Sequence, residues 1–195
     1  MLDTLRKKCH YSRYEKVKEL IEKNKCGRYL LDIGCGRPCE CMKDGSFIRY
    51  IGYGIGIDVK NCSTGFNFKL GDVTDIPFQE KTFDTITAME VLEHIPPDKL
   101  DVALQNISRV LKDDGIFVMS TQNNSLLWKA FWLFWERTVG RMWKGSHQTR
   151  MSKKEWLGAL GNYFEIIDVQ YNWRIDMIIK MKKAVKEKGW FKKDR

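Results

Sequence analysis

The chain has no uninterrupted apolar stretch of the about eighteen residues needed to cross a bilayer. Nor does an apolar run stand at its N-terminus ahead of a small-residue cleavage site, so the expectation is a cytoplasmic protein. A zinc knuckle is missing as well. Cys35, Cys39 and Cys41 follow a C-x3-C-x-C spacing with Cys62 beyond, no histidine lies near them, and no metal is expected. The six cysteines do not read as a disulfide framework either, because one sits inside a glycine turn and the length is wrong for a stapled mini-domain. Reduced thiols follow. Also absent is the third small residue of a dinucleotide fingerprint: Cys39 occupies its place, and Pro38 removes a backbone N–H where a pyrophosphate needs donors.

What is present is a composition of 43% hydrophobic and 30% charged residues, which excludes a disordered chain and, at 195 residues, gives one domain with a real core. The formal net charge of +9 is concentrated at the end, where Lys180 to Arg195 hold eight Lys or Arg against Glu187 and Asp194. A solvated helix face is one reading of that tail. Attraction to anionic lipid, nucleic acid or a phosphorylated substrate is the other.

The organising stretch is Tyr29-Leu30-Leu31-Asp32-Ile33-Gly34-Cys35-Gly36, a buried strand running into a tight turn. Gly34 and Gly36 can take positive φ and lack a Cβ, so a ligand can approach the backbone there. Gly54 to Asp58 reads as a second strand whose terminal acid lies 22 residues beyond Gly36, where a carboxylate can accept both hydroxyls of a ribose. Further strands are expected over 66–70, ahead of Gly71-Asp72-Val73, then over 83–89 and 116–120.

Before the first strand, Ser12 with Glu15 has the form of a capping box for an opening helix, and Arg13 reads as a surface residue in preference to one that reaches a ligand carboxylate. Asp98 is expected to cap a helix carrying Leu100, Ala103, Leu104, Ile107, Val110 and Leu111 at helical spacing. The alternation of strands and helices gives right-handed βαβ units and a mostly parallel sheet. A second Ser/Glu capping pair, Ser152 and Glu155, precedes strands over 164–169 and 175–181, which form a terminal antiparallel hairpin.

With the glycine turn, Asp58, Gly71-Asp72, Met89-Glu90-Val91-Leu92-Glu93-His94 and Leu111-Lys112-Asp113-Asp114-Gly115 in order, residues 29–181 resemble a class I S-adenosylmethionine-dependent methyltransferase of the type 11 domain group. The resemblance implies an α/β fold, a Rossmann-like doubly wound sheet of seven mostly parallel strands with helices on both faces. It implies S-adenosyl-L-methionine as cofactor, with Asp32, Gly34, Cys35 and Gly36 around the methionine part and Asp58 on the ribose hydroxyls. Asp72 with Val73 would sit at the adenine, and Met89 with Glu90 at the floor beside the sulfonium. Arg37-Pro38 departs from the small residues usual after the second glycine.

Residues 1–28 then form an N-terminal helix, about 122–147 a lid insertion, and 182–195 the basic tail. In the lid, Leu126 to Trp135 has Lys129 as its one non-apolar residue and is followed by Arg137, Arg141 and Lys144. It is similar to the lid of ubiquinone-type O-methyltransferases, which act on isoprenoid-tailed substrates at a membrane surface. The insertion can lie on a membrane, pack on the domain or form a homodimer contact. His94 and His147 are the candidate catalytic bases, since imidazole titrates near neutral pH. The expected activity is methyl transfer to a small-molecule or lipid-linked acceptor, at oxygen. The alternatives are RNA or protein as acceptor, or a cofactor-binding module without turnover. The fourth strand does not end in Asn/Asp-Pro-Pro-aromatic, which argues against amino-nitrogen chemistry on nucleic-acid bases.

Overall fold

A computed structural model describes residues 2–22, 29–36, 47–61, 67–122, 147–173 and 176–184, together with 124, 128, 129, 133 and 137. Seven strands among the described residues form one sheet: β1 (Leu30–Ile33), β2 (Ile55–Asp58), β3 (Phe68–Leu70), β4 (Phe83–Met89), β5 (Leu111–Gln122), β6 (Phe164–Asn172) and β7 (Asp176–Lys183). Their order is β3-β2-β1-β4-β5-β7-β6. The first five run parallel, and β7 is antiparallel to both β5 and β6. The doubly wound, mostly parallel sheet and its terminal hairpin are those the sequence predicts.

Alternation along the strands explains why both faces are covered. Leu31, Ile33, Phe117, Met119, Ile179 and Met181 point into the core formed with α3 (Pro97–Val110) and α4 (Lys153–Gly161). Their neighbours Leu30, Ile116, Val118 and Ile178 point into a second core with α1 (Leu2–Glu22) and α2 (Phe47–Ile51). A parallel sheet needs both layers, because its strands are apolar on both sides. Among the described residues no helix is long and apolar enough to cross a membrane.

Three local expectations are corrected. Ser12 does not start α1: the helix is already continuous from Leu2, and the Ser12 hydroxyl donates to Asn172 Oδ1 at 2.9 Å. Asp98 does not cap α3, whose N-cap is Pro96 with Pro97 in the first turn, where a missing N–H has no helical partner to lose. Asp98 instead places a negative charge at the positive end of the helix. Third, β5 begins at Leu111, paired with Phe83, and shifts register before continuing from Ile116 opposite Thr85. The Ser152–Glu155 capping box forms in both directions. Arg37, Pro38, Cys39, Cys41, Cys62, Lys144, most of Leu126–Trp135 and the tail from 185 lie outside the described residues.

The sheet reverses its winding between β1 and β4. Beyond the carboxyl ends of those neighbouring strands lies the crevice in which open α/β sheets bind ligands.

Candidate active site

Gly34 and Gly36 close β1 with φ of +68° and +64°. The turn folds against the end of β2: the N–H groups of Gly34 and Cys35 donate to the Ile57 carbonyl at 2.8 and 3.1 Å, and Gly36 N–H donates to Asp58 Oδ2 at 3.0 Å. A Cβ on Gly34 would come within 2.3 Å of Val91 Cγ2, whereas one on Gly36 would meet nothing nearer, among the described residues, than the Gly34 carbonyl oxygen at 3.9 Å. Gly34 is thus packed from behind, while no described side chain crowds Gly36. Asp58 Oδ1 accepts from Lys60 N–H at 2.9 Å, so each carboxylate oxygen has one named donor and a further lone pair for a ligand hydroxyl.

Asp32 lies beneath this turn at 2% exposure. Its Oδ1 accepts from the Thr87 hydroxyl at 2.7 Å and its Oδ2 from Ile48 N–H at 3.3 Å, tying β1 to β4 and α2. Burial pushes its pKa up to about 7; the Thr87 and Ile48 hydrogen bonds oppose the shift and the nearby Asp58 charge adds to it. An acid whose pKa is higher folded than unfolded binds an extra proton in the native state between about 4 and about 7, so it lowers stability as pH rises through that window. Asp176, pushed up to about 6 by burial and then by the Glu90 charge, acts in the same direction. Thermal melts of Asp32→Asn are therefore expected to show a shallower fall in Tm between those pH values than wild type. An unchanged slope would mean Asp32 ionises normally.

The other sequence-predicted residues occupy the same end of the sheet. Cys35 is buried against Ile48 and beside Phe68. Asp72 is exposed and accepts at 2.8 Å from both the N–H and the hydroxyl of Thr74, an Asx turn, while Val73 points into the core. Gly71 N–H donates to the Asp58 carbonyl at 3.1 Å, which joins that turn to the end of β2. Across the switch, half-buried Met89 packs on the α1 core, and Glu90 closes β4 with φ of +56°, a conformation unusual outside glycine.

Glu90 is held from three sides. Ser120 hydroxyl donates to Oε1 at 3.0 Å, Gln122 Nε2 donates to Oε2 at 2.8 Å, and Arg13 Nη1 lies 3.3 Å from Oε1. Burial alone would raise its pKa, but the Arg13 charge and those hydrogen bonds outweigh it and hold the carboxyl below the usual range. Arg13 is not a surface residue: at 5% exposure it also pairs with Asp176 Oδ2 at 3.2 Å.

After β4 a 3-10 turn, Leu92–His94, presents Glu93 and His94. The segment 147–149 docks on that turn: Gln148 and Thr149 N–H both donate to the Glu93 carbonyl, Gln148 Nε2 to that of His94 and the Thr149 hydroxyl to that of Ile95. His147 is thereby set beside His94, with ring centroids 4.9 Å apart, and 6.1 Å from the buried Trp128 ring. Glu93, at 2% exposure, accepts from Gln122 Nε2 at 3.3 Å, and burial and then the Glu90 charge raise its pKa well above the ordinary value. A small cavity of about 10 Å³ adjoins it, walled by Gln122, Asn124, Trp128, Thr149 and Met151.

A family model described as "Methyltransferase domain" matches residues 5–166. This chain belongs to the methyltransferase-domain family. The family match agrees with the resemblance to class I S-adenosylmethionine-dependent methyltransferases. An uncharacterized protein of Methanocaldococcus jannaschii is 31% identical over 128 residues, 60% of this chain and 47% of that protein. The ubiquinone biosynthesis O-methyltransferase of Nitrobacter winogradskyi is 31% identical over 117 residues, 54% and 42% of the two chains. A fatty-acid O-methyltransferase of Mycolicibacterium smegmatis is 32% identical over 101 residues, 47% and 36%. The chain spans about half or less of the length of these relatives. In fold it is similar to PH0226 protein from Pyrococcus horikoshii OT3, with a TM-score of 0.68 at 19% identity, covering 90% of this chain and 92% of that one. It is also similar to magnesium protoporphyrin IX methyltransferase from Synechocystis with bound S-adenosylhomocysteine, TM-score 0.65 at 15% identity, covering 90% and 84%.

The residues at this end of the sheet fit such a cofactor: a glycine at Gly36 without close contacts among the described residues, and a carboxylate at the end of β2. Sequence reasoning gave no role here to Glu93, Ser120 and Gln122, and preferred a surface position for Arg13 over one reaching a cofactor carboxylate. Glu93 had a local signal in the Glu90-x-x-Glu93-His94 spacing, and Ser120 with Gln122 had one in sharing a face of β5.

Proposed function

We propose that the enzyme methylates a hydroxyl oxygen on a small-molecule or lipid-linked acceptor. The observation that carries this reading is the cluster of Glu93, His94 and His147 on and against the turn after β4, where Glu93 lines a small cavity walled by Trp128 and Trp156. Bound S-adenosylmethionine supplies an already activated methyl group. The protein's task is to hold the acceptor at near-attack distance and to handle the proton of a hydroxyl whose pKa is high. Gly34 and Gly36 take the methionine end, with Asp32 setting their turn. Asp58 takes the ribose hydroxyls, Asp72 and Val73 lie at the adenine, and Met89 and Glu90 floor the crevice. His94 and His147 face the acceptor, and Trp128 walls its apolar part. The O-methyltransferases among the relatives support an oxygen acceptor.

The test is incubation with methyl-labelled cofactor and cell extract, followed by separation into lipid, small-molecule, nucleic-acid and protein fractions. Label is expected in the lipid or small-molecule fraction as an alkali-resistant methyl ether. Asp58→Ala is expected to weaken cofactor binding about 10- to 100-fold by calorimetry, the loss of a charge-assisted hydrogen bond or more. Label confined to RNA or protein would overturn the acceptor assignment.

A further inference from the structure

The segment 71–78, between β3 and β4, carries Asp72 and Val73 and is gripped by its carbonyls from outside. Asn106 Nδ2 donates to the Thr74 carbonyl at 2.9 Å, Arg109 Nη2 to that of Ile76 at 2.8 Å and Arg109 Nη1 to that of Phe78 at 2.7 Å. From β3, Lys69 Nζ reaches the Pro77 carbonyl at 2.8 Å. Asn106 and Arg109 are neighbours on one face of α3, whose other face is fixed in the core by Ala103, Leu104, Ile107 and Val110. The two side chains also hold each other: Arg109 Nε and Nη2 donate to Asn106 Oδ1 at 3.3 and 3.0 Å, and Asn106 Nδ2 gives its other hydrogen to the Val102 carbonyl at 3.1 Å. Both hydrogens of that amide and both of Nη2 are thus used, which sets each group in one orientation. A planar guanidinium serves two carbonyls and an amide oxygen at once, as an ammonium does not.

The hold carries through to the ligand end of the loop. A Cβ on Gly71 would come within 2.9 Å of Pro77 Cδ, so Pro77, between the two carbonyls that Arg109 takes, packs on Gly71. Gly71 N–H in turn donates to the Asp58 carbonyl at 3.1 Å. The Thr74 carbonyl held by Asn106 belongs to the Asx turn in which Asp72 Oδ1 accepts from the Thr74 N–H and hydroxyl. Those bonds occupy Oδ1 and leave Oδ2 to accept from a ligand. We propose that Arg109 and Asn106 are positioning residues of the cofactor site, acting through the 71–78 loop to fix the place at which Asp72 and Val73 meet the adenine ring. Resting on the proposed placement of the adenine at Asp72 and Val73, the clamp deepens it: a loop held in one arrangement distinguishes a purine with an amino group at C6, a donor to Asp72, from one with an oxygen there.

The test is calorimetry of the full chain with S-adenosylhomocysteine and with S-inosylhomocysteine, each variant being checked by urea denaturation to be folded under the assay conditions. Wild type is expected to prefer the adenosyl compound at least about tenfold. Arg109→Ala should weaken S-adenosylhomocysteine binding about tenfold, and Asn106→Ala about threefold. Arg109→Lys keeps the charge but not the fork, so it should lose nearly as much as Arg109→Ala and narrow the adenosyl preference to about threefold or less. It also carries the test, with Asn106→Ala, if Arg109→Ala does not fold. Because Arg109 acts through Asp72, the loss in Arg109→Ala with Asp72→Ala should be smaller than the product of the two single losses. Affinity and preference within about twofold of wild type in folded Arg109→Lys and Asn106→Ala, beside a clear loss in Asp72→Ala, would make the clamp a structural staple only and overturn the inference while leaving the adenine placement standing. An Asp72→Ala chain that binds S-adenosylhomocysteine as wild type does would remove the adenine placement itself, and the clamp with it.

Discussion

Arg13→Ala is expected to lower the free energy of unfolding by about 3–5 kcal/mol, measured by urea denaturation at neutral pH. Arg13 reaches from α1 to the end of β4 and the start of β7, pairing with Glu90 at 3.3 Å and Asp176 at 3.2 Å from a buried position. Burial opposes its charge, but the two acids outweigh that and hold the guanidinium above its ordinary pKa. Truncation leaves both carboxylates in a poorly solvated site with hydrogen bonds from Ser120, Gln122 and Asn172 but no cation from this side chain. A domain with about 5–15 kcal/mol in hand would be brought near its threshold. The control is Arg13→Met combined with Glu90→Gln and Asp176→Asn. Removing all three charges together should recover most of the loss, because the expense lies in the unpaired ions rather than in the missing contact. A loss below about 1 kcal/mol in the single variant would mean that Glu90 is already neutral or hydrated.

That cluster also marks where sequence reading stops. The strands, the glycine turn and the acid at Asp58 were legible because each signal is local: apolar runs of strand length, positive-φ residues at a strand end, and a spacing that sets Asp58 against Gly36 at 3.0 Å. Arg13, Glu90 and Asp176 meet only because β4 and β7 flank β5 and α1 crosses above them, so a helix-borne arginine looks like any surface residue until the layers are stacked. Ser12 misled for a related reason. The Ser-x-x-Glu pattern is a capping box only at a helix start, and inside α1 the same hydroxyl is free to bond Asn172 of β6. His147 was visible as a residue type. Its position beside His94 depends on the backbone of 148 and 149 docking on Glu93, which no periodicity announces.

Gly34→Ala and Gly36→Ala are expected to separate the packing glycine from the ligand glycine. Both positions have left-handed φ, +68° and +64°, so a side chain costs about 1–2 kcal/mol at either. At Gly34 the new methyl also falls 2.3 Å from Val91 Cγ2, an overlap that adds about 1–3 kcal/mol as Val91 and the 3-10 turn behind it are pushed away. Gly34→Ala should therefore lose about 2–5 kcal/mol of stability in denaturation, and Val91→Ala in the same chain should return the packing part but not the backbone part. Gly36→Ala meets nothing closer than 3.9 Å among the described residues, so its stability loss should stay near the backbone figure. Its methyl instead projects from the open side of the turn, where the proposed cofactor approaches, and S-adenosylhomocysteine affinity should drop at least about tenfold, or 1.4 kcal/mol, in a chain that remains folded. Because Val91 leads directly into Glu93 and His94, the displacement caused by Gly34→Ala should also disturb the acceptor side, whereas Gly36→Ala should leave it intact. Equal cofactor affinity in Gly36→Ala and wild type would move the ligand off this turn and remove the reason for two glycines at the end of β1.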